Sequence, residues 1–219
     1  ISAEGNLTAM DIDVPSDISS AAFFLVGASI APGSDVTLKH VGINPTRTGV
    51  IDILRLMGAS IEVLNPREVG GEPVADLHVV YSPLKGIDIP EDLVPLAIDE
   101  FPVLFVAAAC AEGQTRLSGA EELRVKESDR IQVMADGLLV LGVDAQPTPD
   151  GMVINGGKPI GGGVVTSHGD HRIAMSFSIA GLRANAPITV LDCSNVNTSF
   201  PEFKDLVKSL GMALVCTEE

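Results

Sequence analysis

The chain has 219 residues, enough for one good-sized domain or two small ones, and its 46% hydrophobic content can fill a core, which excludes a disordered chain. A net charge of −15, with 14 Lys and Arg spread along the sequence and 4% aromatics, argues against nucleic acid as a partner and makes any basic cluster conspicuous. No apolar run reaches membrane-spanning length, and there is no signal-peptide pattern, so no membrane partner is expected.

In chain order, Asp17 precedes the run AAFFLVGASI (21–30), apolar or small on every side, which predicts a buried helix. A strand follows at 36–39, then a helix over 48–58 that stops at Gly58, then a strand at 60–64. The plan then repeats. Asp99 precedes VLFVAAACA (103–111), followed by a strand at 115–118, a helix over 128–142 ending at Gly142, and a strand at 143–146. Asp170 precedes IAMSFSIAGL (173–182), followed by a strand at 188–191, a helix over 199–211 ending at Gly211, and a strand at 212–216. The three aspartates lie 82 and 71 positions apart. This pattern predicts one pseudo-symmetric α/β domain over 1–219, built of three β-α-β-α-β units (about 1–80, 81–155 and 156–219) with the small-residue helices innermost.

An aspartate at a helix start is ordinarily an N-cap, and that reading suffices for Asp17, where Ser19 and Ser20 offer only capping and turn chemistry. If the packing gathers several helix starts on one side, their partial positive charge makes that side an anion site. The three cysteines, Cys110, Cys193 and Cys216, are widely spaced in apolar or small-residue surroundings and read as reduced residues of a cytoplasmic protein. His168 and His171 form an H-x-x-H without cysteine or acidic support placed for zinc, so no metal site is expected. The chain begins at Ile1 rather than at a methionine and enters the first repeat almost at once, which reads as a piece of something longer.

Charge concentrates in LRVKESDR (123–130), where a strand hands over to the second helix of the middle unit. Ser128 and Asp129 could serve the helix start, with Lys126 and Arg130 as a solvated i,i+4 patch. Against that, Lys126, Glu127 and Arg130 put both charge signs within one turn, as acid–base work beside an anion requires. An arginine near a helix N-terminus also opposes the dipole. A second concentration is TSHGDHR (166–172), where Arg172 lies in the first turn of a buried helix and needs a carboxylate or phosphate partner. Asp170 could be that partner, and His171 a bridge between backbone groups.

LRVKESDR, DHRIAM 40 positions after the run's Arg130, Asp99 27 positions before Lys126, the early DISSAAF, NPTRTG and TSFPEF together resemble the 5-enolpyruvylshikimate-3-phosphate synthase family. The resemblance covers essentially the whole chain but only the family's C-terminal half. It implies a domain of three βαβαββ units with helices inside and sheets outside, the inside-out barrel of enolpyruvyl transferases. It also implies transfer of the enolpyruvyl group of phosphoenolpyruvate to the 5-hydroxyl of shikimate 3-phosphate, with release of phosphate and with no metal or organic cofactor. By the same resemblance Asp99 takes the hydroxyl proton, Glu127 gives and takes back a proton at C3, and Lys126 sits between the two substrates. Arg130 and Arg172 clamp phosphoenolpyruvate, with His171 and Asp170 orienting them. Most contacts to shikimate 3-phosphate would come from the missing N-terminal half, so this chain alone is expected to fold but to be nearly inactive. Ser16, Glu122 and Thr198 depart from the pattern of parts of the family. Two other readings stand beside this one: an enolpyruvyl transferase acting on a nucleotide sugar, and a non-catalytic anion-binding repeat domain.

Overall fold

A helix that is apolar all round can be stable only inside the molecule, and three such segments organise this chain. The computed structural model describes residue 9 and residues 11–217; residues 1–8 and 10 of the first expected unit, and 218 and 219 of the last, lie outside the described residues. Asp17 caps α1 (Ile18–Ile30), in which every residue except Ser20 is buried. Then come β1 (Asp35–Gly42), α2 (Gly49–Leu56) and the hairpin β2 (Ser60–Val69) with β3 (Glu72–Val80). The Gly70–Gly71 turn of that hairpin needs φ of +59° and +84°, which glycine adopts without strain. A second pass gives α3 (Phe101–Cys110), β4 (Gly113–Leu117), α4 (Arg130–Val140), β5 (Asp144–Thr148) and β6 (Gly151–Gly156). A third gives β7 (Gly163–Thr166), α5 (His171–Ala180), β8 (Ile188–Leu191), α6 (Val196–Ser199) and α7 (Phe203–Ser209).

The sheets follow the passes. β3 lies between β1 and β2, and β6 between β4 and β5, all antiparallel, while β7 and β8 pair in parallel. The chain entering α1 touches β1 through a parallel Ser16–Val41 bridge, and the chain entering α3 touches β4 through an Asp88–Arg116 bridge and the residue before β4 through a Lys85–Glu112 bridge. The β7–β8 pair is the same parallel arrangement extended over four residues of each strand. α1, α3 and α5 pack on one another, and one continuous apolar cluster joins them to the sheets. On β1 exposed residues alternate with partly covered ones, the mark of a sheet with one face on the core.

Three differences from the sequence reading have physical causes. The strands β3 and β6 lie where the residue pattern showed none. The predicted strand at 212–216 is absent, because a strand needs a backbone partner and, among the described residues, no ladder reaches that segment. The helix expected over 199–211 is broken between α6 and α7: Pro201 disfavours helical geometry at Phe200, which sits at φ −147°, ψ 75°.

Candidate active site

The helix starts of α1, α3, α4 and α5 meet at one end of the molecule, and side chains tie them to each other. Ser19 in the first turn of α1 reaches Glu100 at the start of α3. Arg172 in the first turn of α5 reaches Asp99, and Arg130, the first residue of α4, reaches Asp170 at the start of α5. Free backbone N–H groups at such a gathering favour an anion.

Local chain geometry delivers each side chain. Asp99 lies in a single 3-10 turn, Ile98–Glu100, that runs straight into α3. A further 3-10 turn, Glu121–Val125, ends at extended Lys126, so Lys126 and Glu127 occupy the link before Asp129 caps α4. His168 and Gly169, both at positive φ (51° and 75°), turn the chain so that Asp170 caps α5 through the Arg172 N–H at 2.9 Å.

Asp99 is the hub. Its Oδ1 lies 3.4 Å from Lys126 Nζ and 3.3 Å from Arg130 Nη1, its Oδ2 lies 3.9 Å from Arg172 Nη2, and its main-chain oxygen accepts from Arg172 Nη1 at 3.2 Å. Arg130 is only 1% exposed. Its Nε donates to Asp170 at 2.8 Å and its Nη2 to Glu127 at 2.5 Å. Asp170 is fully buried and also accepts from Ser128 Oγ at 3.1 Å. Lys126 pairs on its other side with Glu122. Glu127 stays half-exposed at the mouth of the cluster.

The electrostatics follow from these contacts. Burial pushes the Asp99 carboxyl up, but Arg172, Lys126 and Arg130 together outweigh it and hold it below the usual carboxylate range. The hydrogen bond to Glu122, then the nearby Asp99 charge, keep Lys126 protonated above the ordinary lysine range. Burial, reinforced by the Arg172 charge, lowers His171 and favours its neutral form.

The structure thus brings Asp99, Lys126, Glu127, Arg130, Asp170 and Arg172 together, with His171 beside Arg172. It decides against three of the readings that the residues left open. Asp99 is no cap, since α3 has no side-chain cap. Lys126 and Arg130 are no solvated patch, since Arg130 is buried. Asp170 pairs with the Arg130 side chain, whereas the Arg172 side chain turns to Asp99 and Glu100. Asp17 caps α1 as expected, accepting from the Ser20 N–H, while Ser19 donates to Glu100 at 2.5 Å.

Glu100, Ser19 and Arg47 were missed. Glu100 is 3% exposed, Arg172 Nη1 lies 3.6 Å from it, and Arg47 Nη2 donates to Ser19 Oγ at 2.7 Å. The only signal in the sequence was a second acid beside Asp99, at the entrance to a fully apolar helix. Two other members of LRVKESDR are structural: Arg124 binds Asp129 at 2.7 Å and the carbonyls of Thr148 and Pro149.

A crevice of about 70 Å³ opens between the starts of α1 and α5, lined by Asp17, Ser19, His171 and Arg172 among others. A larger hollow of about 340 Å³ lies beyond the far ends of α3 and α5, beside Cys110, Lys158 and Arg183, and holds none of the acid–base cluster. Burial pushes the Cys110 thiol there up to about 11, which disfavours the thiolate. Among the described residues no group of three or more His, Cys, Asp or Glu side chains is placed to hold a metal ion, and no helix is long and apolar enough to cross a membrane.

Residues 1–207 match the family described as EPSP synthase (3-phosphoshikimate 1-carboxyvinyltransferase). A protein of Methylococcus capsulatus named 3-phosphoshikimate 1-carboxyvinyltransferase is 71% identical over 212 residues, 97% of this chain and 48% of its own length. One of the same name from Alkalilimnicola ehrlichii is 71% identical over 98% of this chain and 48% of its own length. The solved EPSP synthase of Acinetobacter baumannii superimposes with a TM-score of 0.95 at 60% identity, over 98% of this chain and 50% of that one. The enolpyruvyl transferase NikO of Streptomyces tendae, at 16% identity and a TM-score of 0.67, shares the fold. The chain spans about half the length of the curated relatives it matches.

Proposed function

The chain belongs to the EPSP synthase family, and from that premise we propose that it is the C-terminal half of an enzyme that transfers the enolpyruvyl group of phosphoenolpyruvate to shikimate 3-phosphate. One observation carries the reading: Asp99, Lys126, Arg130 and Arg172 converge within 3.9 Å contacts, with Glu127 attached, where four helix starts meet. The inside-out layout of three units, about 1–80, 81–155 and 156–219, belongs to the same proposal. It is supported by the buried helices α1, α3 and α5 and by the one-faced outer sheets. A cytoplasmic location is proposed with it.

In this reading the O5 oxygen of shikimate 3-phosphate attacks C2 of phosphoenolpyruvate while C3 gains a proton. The tetrahedral adduct then loses a C3 proton and expels phosphate. Asp99 accepts the hydroxyl proton, and Glu127 delivers the C3 proton and takes it back. Lys126 sits between the two substrates and neutralises charge. Arg130 and Arg172 clamp the phosphate and carboxylate of phosphoenolpyruvate, and Asp170 and His171 orient them.

The contacts supply a reason for the timing. The cations that would hold phosphoenolpyruvate pair with Asp99 and Glu127, and they depress the proton affinity of Asp99. An anion that engages Arg130 and Arg172 neutralises them, and Asp99 becomes a stronger base when a proton must be taken. Asp99, Glu100, Glu122, Glu127 and Asp170 outnumber the cations Arg47, Lys126, Arg130 and Arg172 around the cluster. The remaining positive charge for two phosphorylated substrates is therefore assigned to the N-terminal half.

The test is phosphate release from phosphoenolpyruvate and shikimate 3-phosphate by the chain alone and after mixing with the N-terminal half. Turnover in the mixture only, abolished by Asp99→Ala or Glu127→Ala, is expected. Inactivity of a folded, associated mixture would overturn the reading.

A further inference from the structure

Two arginines face the proposed anion position, and each is backed by a carboxylate on its inner side. For Arg130 that carboxylate is Asp170, at 2.8 Å and fully buried. For Arg172 it is Glu100, 3.6 Å from Nη1 and 3% exposed. A buried acid next to the catalytic Asp99 is costly, since burial pushes Glu100 up and Asp99 adds repulsion. Glu100 is nevertheless held firmly, because Ser19 donates to its Oε1 at 2.5 Å and Arg47 in turn donates to Ser19 at 2.7 Å. Arg47 precedes α2, Ser19 opens α1, Glu100 opens α3 and Arg172 opens α5, so one polar chain joins four separate segments and ends on the arginine nearest the crevice.

Resting on the transferase reading, we propose that Glu100 is the positioning residue of Arg172. With Ser19 and Arg47 it anchors the inner edge of the guanidinium and leaves Nη2 on the Asp99 side to receive phosphoenolpyruvate. The Arg47–Ser19–Glu100 chain thereby sets affinity for that substrate and not for shikimate 3-phosphate. Glu100 touches neither substrate. Without the Glu100 charge, Nη1 keeps only the Asp99 main-chain oxygen, the guanidinium is held more loosely, and fixing it costs more side-chain entropy on each binding event.

The decisive experiment uses the full-length enzyme whose C-terminal half is this chain. Glu100→Gln keeps the shape and an acceptor for Ser19 while removing the charge. KM for phosphoenolpyruvate is expected to rise about tenfold, with kcat and KM for shikimate 3-phosphate within about twofold. Glu100→Asp is expected to fall between Gln and the parent. Ser19→Ala, which leaves the carboxylate in place, should raise the same KM about threefold, and it carries the test if Glu100→Gln does not fold. A fall in kcat alone, or an equal rise for both substrates, would overturn the proposal.

If the unsubstituted enzyme releases no phosphate, the transferase reading fails, and the geometry is decided on the isolated chain. There the ¹⁵N side-chain resonance of Arg172 should shift in Glu100→Gln while that of Arg130 stays. An unmoved Arg172 signal would overturn the positioning role.

Discussion

Asp99 and Glu100 are adjacent acids with opposite fates. Asp99, beside three cations, lies below the usual carboxylate range, whereas Glu100 is pushed up by burial despite the Ser19 hydrogen bond and the Arg172 and Arg47 charges. The sign for Glu100 is definite. Its folded-state proton affinity exceeds that of the unfolded chain, so its stabilising contribution is complete below the ordinary glutamate value of 4.5 and is lost as pH rises through the folded value. The stability of Glu100→Gln relative to the parent chain should therefore climb with pH above about 4.5 and then level off; urea melts across that range would show it, and a falling difference would refute it. Asp170 is the harsher case. Asp170→Asn keeps a cap for α5 but strips the buried Arg130 of its closest inner partner, with an expected loss of about 3 kcal/mol in the urea midpoint analysis. At this scale the sequence was legible for Lys126, Glu127 and Arg130, because opposite charges crowd one turn there. For Glu100 it offered only a second acid beside Asp99, whose meaning depends on Ser19, 81 positions away.

The helices depend on how closely they approach. α4 is pressed against α5 at Gly137, where an added Cβ would stand 2.2 Å from Phe177 Cζ, and Phe177 is fully buried. Gly137→Ala gains helix propensity but overpacks that contact, so a net loss of about 1–3 kcal/mol is expected, and Phe177→Leu in the same chain should recover part of it. Since α4 carries Arg130 and α5 carries Arg172, the same contact holds the two arginines in register. The buried helices were legible because no polar face interrupts them. The break at Pro201 was also written in the residues and was overridden by the apolar period on either side. The segment at 212–216 alternates like a strand, but alternation specifies only a side-chain pattern, and pairing requires a neighbour.

For the whole molecule, the chain spans about half the length of its relatives, and the proposed reading assigns the rest of the site to the N-terminal half. The expected behaviour is a chain that melts cooperatively by itself, releases little phosphate, and recovers turnover on addition of the N-terminal half. Titrating one half against the other while following phosphate release would check this, and strong turnover by the chain alone would contradict it. The sequence by itself determined the α/β class, the buried helices and the residues rich in acid–base chemistry, because periodicity, caps and charge crowding act over a few neighbouring positions. Only the tertiary structure decided which carboxylate meets which arginine: that Asp170 serves Arg130, that Glu100 and Asp99 share Arg172, and that Ser19 leaves its own helix end to hold Glu100. Those pairings join residues between 40 and 81 positions apart along the chain, and they form only where packing of the buried helices brings their starting turns close together.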